Sequence, residues 1–514
     1  MSTARLPGAL LGLVSAGSGL AVSELASGYL HQRVSPVVAV AESVIQLTPG
    51  AVIEFVISIV GRNDKPLLVG VVLFGLAVAS GAVGILSLRS TGAAITAFSA
   101  MGVVLLLAVH DRLTSSQATY IPAVLGVGVA VGVLMMMLPT ARKAAARDPD
   151  GHPSAVAPTP SGRSRREFLR TVGLVGMGAL VVGATGRVLA HGRAAVDAAR
   201  RHLKLNVTRR SAPSGTQLRV DGITGWVTPQ DDFYRIDTAL SVPQILPPNW
   251  SLRIHGMVDR ELTLSYQDLI GRGLTEAWLT LCCVSNEVGG NLISNAWWSG
   301  VLLAPILDEV GIRDGADAVL SRSDDGWTCG TPIEALTDDR NSMLAVAMNG
   351  EPLTPEHGFP VRMVVPGLYG YVSATKWVVD LEVTRFADFS AFWTQRGWSA
   401  QGPVKTESRI DVPHNGAKVK AGDVAIAGIA WAQHRGVETV EVRVDDDEWV
   451  EAELGKDASI DSWRQWAHVW TADAGEHTIQ VRATDAGGAQ QTSEQAGVLP
   501  DGATGWHTIH VKVT

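Results

Sequence analysis

Long apolar runs in the first part of the chain constrain it most. From Pro66 to Leu88 it reads PLLVGVVLFGLAVASGAVGILSL with no charged residue. Such a run is long enough to cross the ~30 Å hydrocarbon layer of a bilayer as one helix. Gly92–Val109 and Ile121–Leu138 are similar, and Leu6–Val22 is a fourth run, rich in small residues. These four are expected to be transmembrane helices. Val37–Val60 is also apolar, but it carries Glu42, Glu54 and a Thr48-Pro49-Gly50 break. Charges in the bilayer core are costly, so two short interfacial or re-entrant helices are the better expectation there.

A second signal follows. Ser164 to Arg170 reads SRREFLR and leads into the apolar TVGLVGMGALVVGATG. The heptapeptide resembles a twin-arginine export signal, the plainer reading being the basic flank of a fifth helix. Four spans take a cytoplasmic Arg5 back to a cytoplasmic Arg142, Lys143 and Arg147, with Arg89 inside as the positive-inside rule prefers. The helix after Arg170 then carries everything downstream to the outer face. Asp148–Gly162 (DPDGHPSAVAPTPSG) is a Pro/Ser/Gly/Ala linker between the two parts. Ala190 could end a cleavage site, but an uncleaved anchor accounts for the fused bundle more simply. Twin-arginine export carries folded proteins, commonly with a cofactor in place, so a bound cofactor is expected.

The remainder reads as a globular sequence. The net charge of −8, from 42 basic and 50 acidic residues, gives no sign of a nucleic-acid binder, and no nucleic-acid partner is expected. Leu252–Gly256 alternates like a strand, while LSYQDLIGR and LLAPILDEVGI read as helices, the second stopped by Gly311. Short strands and helices without regular βαβ spacing indicate an α+β domain. After Pro403 the pattern is almost purely β, with AIAGIAWA, VETVEVRV, HTIQVRATDA and WHTIHVKV alternating and Asp445–Asp447 as a hairpin turn. An immunoglobulin-like β-sandwich is expected over 403–514.

Three cysteines are present, two of them adjacent, in TLCCVSNEVGGNLISNAWWSG (Thr280–Gly300). Neighbours in a strand point to opposite faces, so only one of Cys282 and Cys283 can face a site. A strained vicinal disulfide and a buried structural thiol are the other readings. Further on, HGFPVRMVVPGLYGYVSATKW (His357–Trp377) places a His, an Arg and a Lys around a Val-Val-Pro-Gly turn. A cationic, glycine-lined surface of this kind suits an anionic phosphate.

Together these two segments resemble the sulfite oxidase family of molybdenum enzymes. Cys283-Val284-Ser285-Asn286 matches the family's Cys-x-x-Asn, which implies Cys283 as the metal thiolate and Cys282 as its inward-packed neighbour. The similarity extends through DDFYRIDTALSVPQI and LAVAMNGEPL into the β-rich end, from about Gly215 to Thr514. It implies a molybdenum–molybdopterin cofactor. By resemblance Arg235 is an active-site arginine, His357, Arg362 and Lys376 hold the pterin phosphate, and Ser285 and Asn286 line the cofactor. Taken singly, these charged residues would more often be ordinary surface groups.

The implied organisation is an all-α transmembrane bundle at 1–140, a cytoplasmic linker at 141–163 and a signal or anchor helix at 164–190. An α+β sulfite-oxidase-type molybdopterin-binding domain at 210–402 and the sandwich at 403–514 follow. The implied activity is oxygen-atom transfer by an exterior-facing, membrane-anchored oxidoreductase. It either oxidises a sulfur compound or reduces an S- or N-oxide, exchanging electrons with a membrane partner. The family's β-sandwich also implies a homodimer. Two departures argue against sulfite itself: Val346 stands where the family has a tyrosine beside the metal, and Glu287-Val288 stand where it has sulfite-binding arginines. No haem domain is evident. His31 and His110 could ligate a haem, loop histidines being the plainer reading. A non-catalytic envelope or assembly protein, or a sensor that keeps the fold, is the competing class.

Overall fold

The computed structural model describes residues 5–30, 36–48, 64–110, 120–145, 160–190 and 193–514. The chain divides into two compact units, Met1–Ala195 with Ala239–Gln244, and Val196–Thr238 with Ile245–Thr514.

The first unit holds helices α1 (Leu6–Tyr29), α2 (Pro36–Leu47), α3 (Asp64–Arg89), α4 (Thr91–His110), α5 (Ile121–Ala145) and α6 (Pro160–Ala190). Five of these, all but α2, are long and apolar enough to cross a membrane. Helix α2 has 12 residues, too few to span, and covers the first half of the Val37–Val60 segment. The second half lies outside the described residues, as do His31 and positions 146–159 of the linker. Helices enter the expected linker from both sides, α5 reaching Ala145 and α6 starting at Pro160.

Small residues let the helix backbones meet. A Cβ at Gly12 would lie 1.9 Å from the Ser80 carbonyl oxygen, and one at Gly19 would lie 2.4 Å from that of Gly126. Between apolar helices in lipid such close approach replaces the hydrophobic drive that water would supply. These contacts run α1 antiparallel to α3 and α5, so the ends bearing Arg5, Arg89 and Arg142 coincide. Arg142 Nη2 donates to the Ser87 carbonyl at 2.9 Å and to Thr91 Oγ1 at 2.8 Å. Phe168 near the start of α6 is buried in one cluster with Leu138 and Ala141, which brings Arg166 to the same end. His110 closes α4 with its Nδ1 2.7 Å from the Tyr120 hydroxyl.

The second unit begins within α7 (Arg193–His202), whose Val196 is buried. One sheet has the order β2-β1-β10-β5-β6, built from β1 (Ser251–Gly256), β2 (Leu262–Ser265), β5 (Ala318–Ser323), β6 (Thr328–Pro332) and β10 (Val378–Thr384). Only β1 and β10 in it are parallel. The other sheet is antiparallel: β3 (Thr275–Cys282), β4 (Ile293–Leu302), β7 (Met343–Met348) and β8 (Glu351–Pro352), with β9 (Arg362–Val364) also on β7. The LSYQDLIGR segment splits between β2 and a short helix α8 (Tyr266–Ile270), because Ser265 and Asp268 form a capping box there. Helix α9 (Leu303–Val310) ends at Gly311, whose φ of 69° suits a residue without a side chain.

Residues beyond Pro403 form two further sheets that share one core, including Ile426, Val440, Trp466, Ile479 and Ile509. The first is β11 (Glu407–Val412), β13 (Gly422–Trp431), β17 (Arg464–Ala472) and β16 (Glu453–Leu454). The second is β12 (Lys418–Val419), β19 (His507–Val513), β18 (Gly475–Asp485), β14 (Val437–Val444) and β15 (Val450–Glu451), with Asp445 turning between the last two at φ 53°. This β-rich region joins the preceding sheets in one compact unit. Trp226 and Trp463 each donate an indole N–H to the other's carbonyl, at 3.2 and 3.0 Å. Trp463 N also donates to the Thr280 hydroxyl on β3 at 2.8 Å.

Candidate active site

The adjacent cysteines sit where β3 leaves its pairing with β4. Cys282 is the last paired residue, opposite Ile293, and Cys283 N donates to the Leu292 carbonyl at 2.9 Å. All three cysteines are free thiols, so no vicinal disulfide is present. Cys282 is 1% exposed and turns toward the β-rich region, where Glu407 raises its pKa further after burial. Cys283 is 7% exposed, and burial raises its pKa too. The Ser285 N–H and hydroxyl and the Lys376 ammonium act the other way, favouring the thiolate. The expected division of the pair, one thiol toward a site and one packed inward, fits this geometry.

The loop after Cys283 is held from both ends. Asn286 N donates to the Cys283 carbonyl at 3.0 Å, and Asn286 Oδ1 accepts from Leu292 N at 2.7 Å. The Gly289-Gly290 pair answers to the β-rich region. A Cβ on Gly289 would lie 2.3 Å from His507 Nε2, and Gly289 has φ 76°. A Cβ on Gly290 would lie 2.7 Å from Asn286 Oδ1, and the Gly290 carbonyl accepts from Arg409 Nη1 at 2.7 Å. His507 cannot step aside freely, because its Nδ1 accepts from Ile410 N at 2.9 Å. A Gly289→Ala variant is therefore expected to lose about 1–3 kcal/mol of stability from backbone strain and overpacking. A thermal melt beside wild type checks this.

A cationic group gathers opposite the thiol. His357 ends the turn Pro355–His357, and Gly358 follows at φ 102°. A Cβ on Gly358 would press at 3.0 Å on Cβ of Arg362 and at 3.2 Å on that of Lys376, so the glycine lets both cations approach. Arg362 is buried, with Trp298 5.2 Å away beneath its guanidinium and three carbonyls, of Met363, His357 and Ala374, at a long 3.4 Å. Lys376 Nζ lies 3.1 Å and Arg235 Nε 2.8 Å from the same Asp237 oxygen. Burial pushes Arg362 down to about 10, Lys376 to about 8 and His357 to about 3, with the neighbouring cations pressing His357 the same way. At neutral pH three cations face one carboxylate and a neutral imidazole, which leaves a net positive pocket.

The polar atoms left over fit an anionic, hydrogen-bonding cofactor. His357 Nδ1 and Asn286 Nδ2 are buried with no hydrogen-bond partner. An unpaired buried donor or acceptor costs about 1–3 kcal/mol, so such atoms ordinarily face a ligand. All seven residues singled out in the sequence, Arg235, Cys283, Ser285, Asn286, His357, Arg362 and Lys376, thus belong to one region of the fold. Sequence reasoning missed Asp237, which couples Arg235 to Lys376, and Glu407, which burial pushes up to about 8. It also missed Tyr234. Of the departures from the family pattern, Val346 is fully buried in β7 and Glu287 is exposed on the loop.

Anion binding should depend on pH through Lys376. A bound anion favours the charged amine, so the occupied-site pKa lies above the empty-site value of about 8. Binding then takes up a proton between those two values. Affinity is full below pH 8 and is expected to fall by up to about tenfold per unit above it. Calorimetric titration of cofactor-free protein with inorganic phosphate between pH 7 and 9.5 reads this slope.

Residues 239–393 match the family model described as the oxidoreductase molybdopterin binding domain. The chain belongs to this sulfite oxidase family of molybdopterin-dependent oxidoreductases, and its cofactor is molybdenum with molybdopterin. It is 35% identical over 153 residues to the uncharacterized oxidoreductase YuiH of Bacillus subtilis, covering 30% of this chain and 74% of that one. It is 31% identical over 345 residues to the mitochondrial sulfite oxidase of Mus musculus, covering 56% of this chain and 62% of that enzyme. Among solved structures, the sulfane dehydrogenase SoxCD of Paracoccus pantotrophus superposes with a TM-score of 0.50 at 23% identity, over 62% of this chain and 92% of that one, a likeness of fold.

Proposed function

We propose that this protein is a membrane-anchored oxidoreductase whose catalytic unit faces the cell exterior and moves an oxygen atom to or from a small substrate. The single observation that carries this reading is the buried Cys283 thiol set against a net positive, partly unsatisfied pocket. When bound, the molybdenum cofactor supplies two-electron oxygen-atom transfer, and the thiolate of Cys283 is its protein ligand. Ser285 steadies the negative sulfur, Asn286 Nδ2 would donate to the cofactor's polar edge, and His357 Nδ1 would donate to it or accept from it. Arg362 and Lys376 bind its phosphate. Arg235, half open to solvent and tied to Asp237, draws an oxygen-rich substrate to the site and orients it there.

The substrate is a sulfur compound to be oxidised, or an S- or N-oxide to be reduced, rather than sulfite. A buried Val346 offers no donor to a small dianion, and Glu287 on the exposed loop opposes its approach. Basic residues collected at one end of the helical unit support a cytoplasmic placement of that end, with the Ser164–Arg170 export signal there and residues beyond α6 outside. An immunoglobulin-type sandwich forming a homodimer, and a membrane partner for electrons, complete the proposal.

The test is elemental analysis of detergent-purified protein, followed by turnover of dimethyl sulfoxide, trimethylamine N-oxide, thiosulfate and sulfite with artificial redox dyes. About one molybdenum per chain with turnover of a non-sulfite substrate supports the reading. Protein without molybdenum, from cells that make the cofactor, sinks it in favour of a non-catalytic envelope role.

A further inference from the structure

Tyr234 carries a feature that the proposed roles leave unused. Its backbone N–H is fixed by Ser294 Oγ at 3.1 Å, and its ring stacks on Phe233 at 5.5 Å. Phe233 in turn meets Trp298 and His357 edge-on, at 5.5 and 5.7 Å, so the ring is held by the same side chains that frame the cationic pocket. The Tyr234 hydroxyl lies against Gly370, where a Cβ would come within 3.5 Å of Oη and 3.8 Å of the Cys282 carbonyl oxygen. Both thiols of the cysteine pair and the Arg362 guanidinium act on it electrostatically.

Two nearby tyrosines behave differently. Tyr371 donates to the Ser399 carbonyl at 2.8 Å, and Tyr369 Oη accepts from Lys405 N at 3.4 Å. The Tyr234 hydroxyl makes no hydrogen bond to any described residue. Tyr234 is half-buried, with its hydroxyl near Gly370 and the Cys282 carbonyl, the residue before Cys283, so the phenol can meet a group bound there.

We infer that Tyr234 Oη donates a hydrogen bond to the oxygen atom of the substrate bound beside Cys283. The inference rests on the oxygen-transfer reading and deepens it by naming a catalytic residue beside Arg235 that the resemblance gives no role. It also narrows the substrate to one presenting an acceptor oxygen, such as the S=O of a sulfoxide. A phenol ordinarily titrates at about pH 10, so it stays protonated at working pH. It is therefore a donor that does not repel an oxyanion.

The test compares metal-loaded wild type with Tyr234→Phe. Molybdenum content and melting temperature should match. Dimethyl sulfoxide should shift the thiolate-to-metal visible band in wild type and shift it less in the variant. The variant's kcat should fall about 100-fold with KM within a few-fold, as for loss of one donor to a reacting oxygen. An equal dimethyl sulfoxide-induced band shift in both proteins, or equal kcat, overturns the inference. Loss of molybdenum from the variant also overturns it, because the phenol would then be holding the cofactor. Absence of molybdenum from wild type is a separate result and removes the oxygen-transfer reading itself.

Discussion

Replacing Cys283 by serine is expected to lower turnover by at least about 100-fold. Changing groups one step removed from a metal commonly costs 10–100-fold in affinity or activity, and a direct ligand costs no less. Serine keeps the size but has no accessible anion near neutral pH, so the soft thiolate donor is lost. Cys282→Ser is the matched comparison. That side chain is buried beside Glu407, away from the cationic pocket, so its hydroxyl should destabilise the fold by about 1 kcal/mol and leave the metal in place. Elemental analysis, turnover and a melting curve on both variants separate the two cysteines. Equal effects from both would contradict the geometry.

The second large effect has opposite signs in the two states of the protein. Arg362 is a buried guanidinium whose only described polar contacts are carbonyls at 3.4 Å. Burial disfavours its charge, pushing the pKa down to about 10. Arg362→Met keeps the length and removes the charge. Cofactor-free protein should therefore melt at the same temperature or higher, by about 1 kcal/mol, because an incompletely paired buried charge has been deleted. Cofactor retention should weaken by about 10- to 100-fold, the equivalent of one charge-assisted hydrogen bond. Thermal melts with and without cofactor, and molybdenum content after dialysis, give both signs. A variant less stable in both states would mean that Arg362 is structural.

Much of this arrangement was legible in the chain, and the exceptions share a cause. Strand alternation alone says that Cys282 and Cys283 diverge, and a His, an Arg and a Lys around a Val-Val-Pro-Gly turn already indicate an anion. The span-length helices follow from apolar length, although α5 extends beyond Leu138 to Ala145 because Arg142 finds partners on Ser87 and Thr91. The Gly289-Gly290 pair was visible but not interpretable, since its reason lies in Arg409 and His507, far along the sequence. Asp237 and Tyr234 stand three positions apart inside the DDFYRIDT segment, on either side of Arg235. Their meaning depends on Lys376 and on the Cys283 loop, which only folding brings near. Glu407 reads as an ordinary strand-edge acid until β11 is seen to carry it against Cys282.

The packing of His507 and Arg409 on the Cys283 loop also sets an order of events during synthesis. The loop that presents the metal thiolate is not locked until residue 507 has left the ribosome and β19 has joined its sheet. A nascent chain that stops short of residue 507 offers no finished cradle, so cofactor entry is expected to follow synthesis of the β-rich region. A route that threads the chain across a membrane as it is made would separate the loop from its lock. One that waits for the folded body keeps them together.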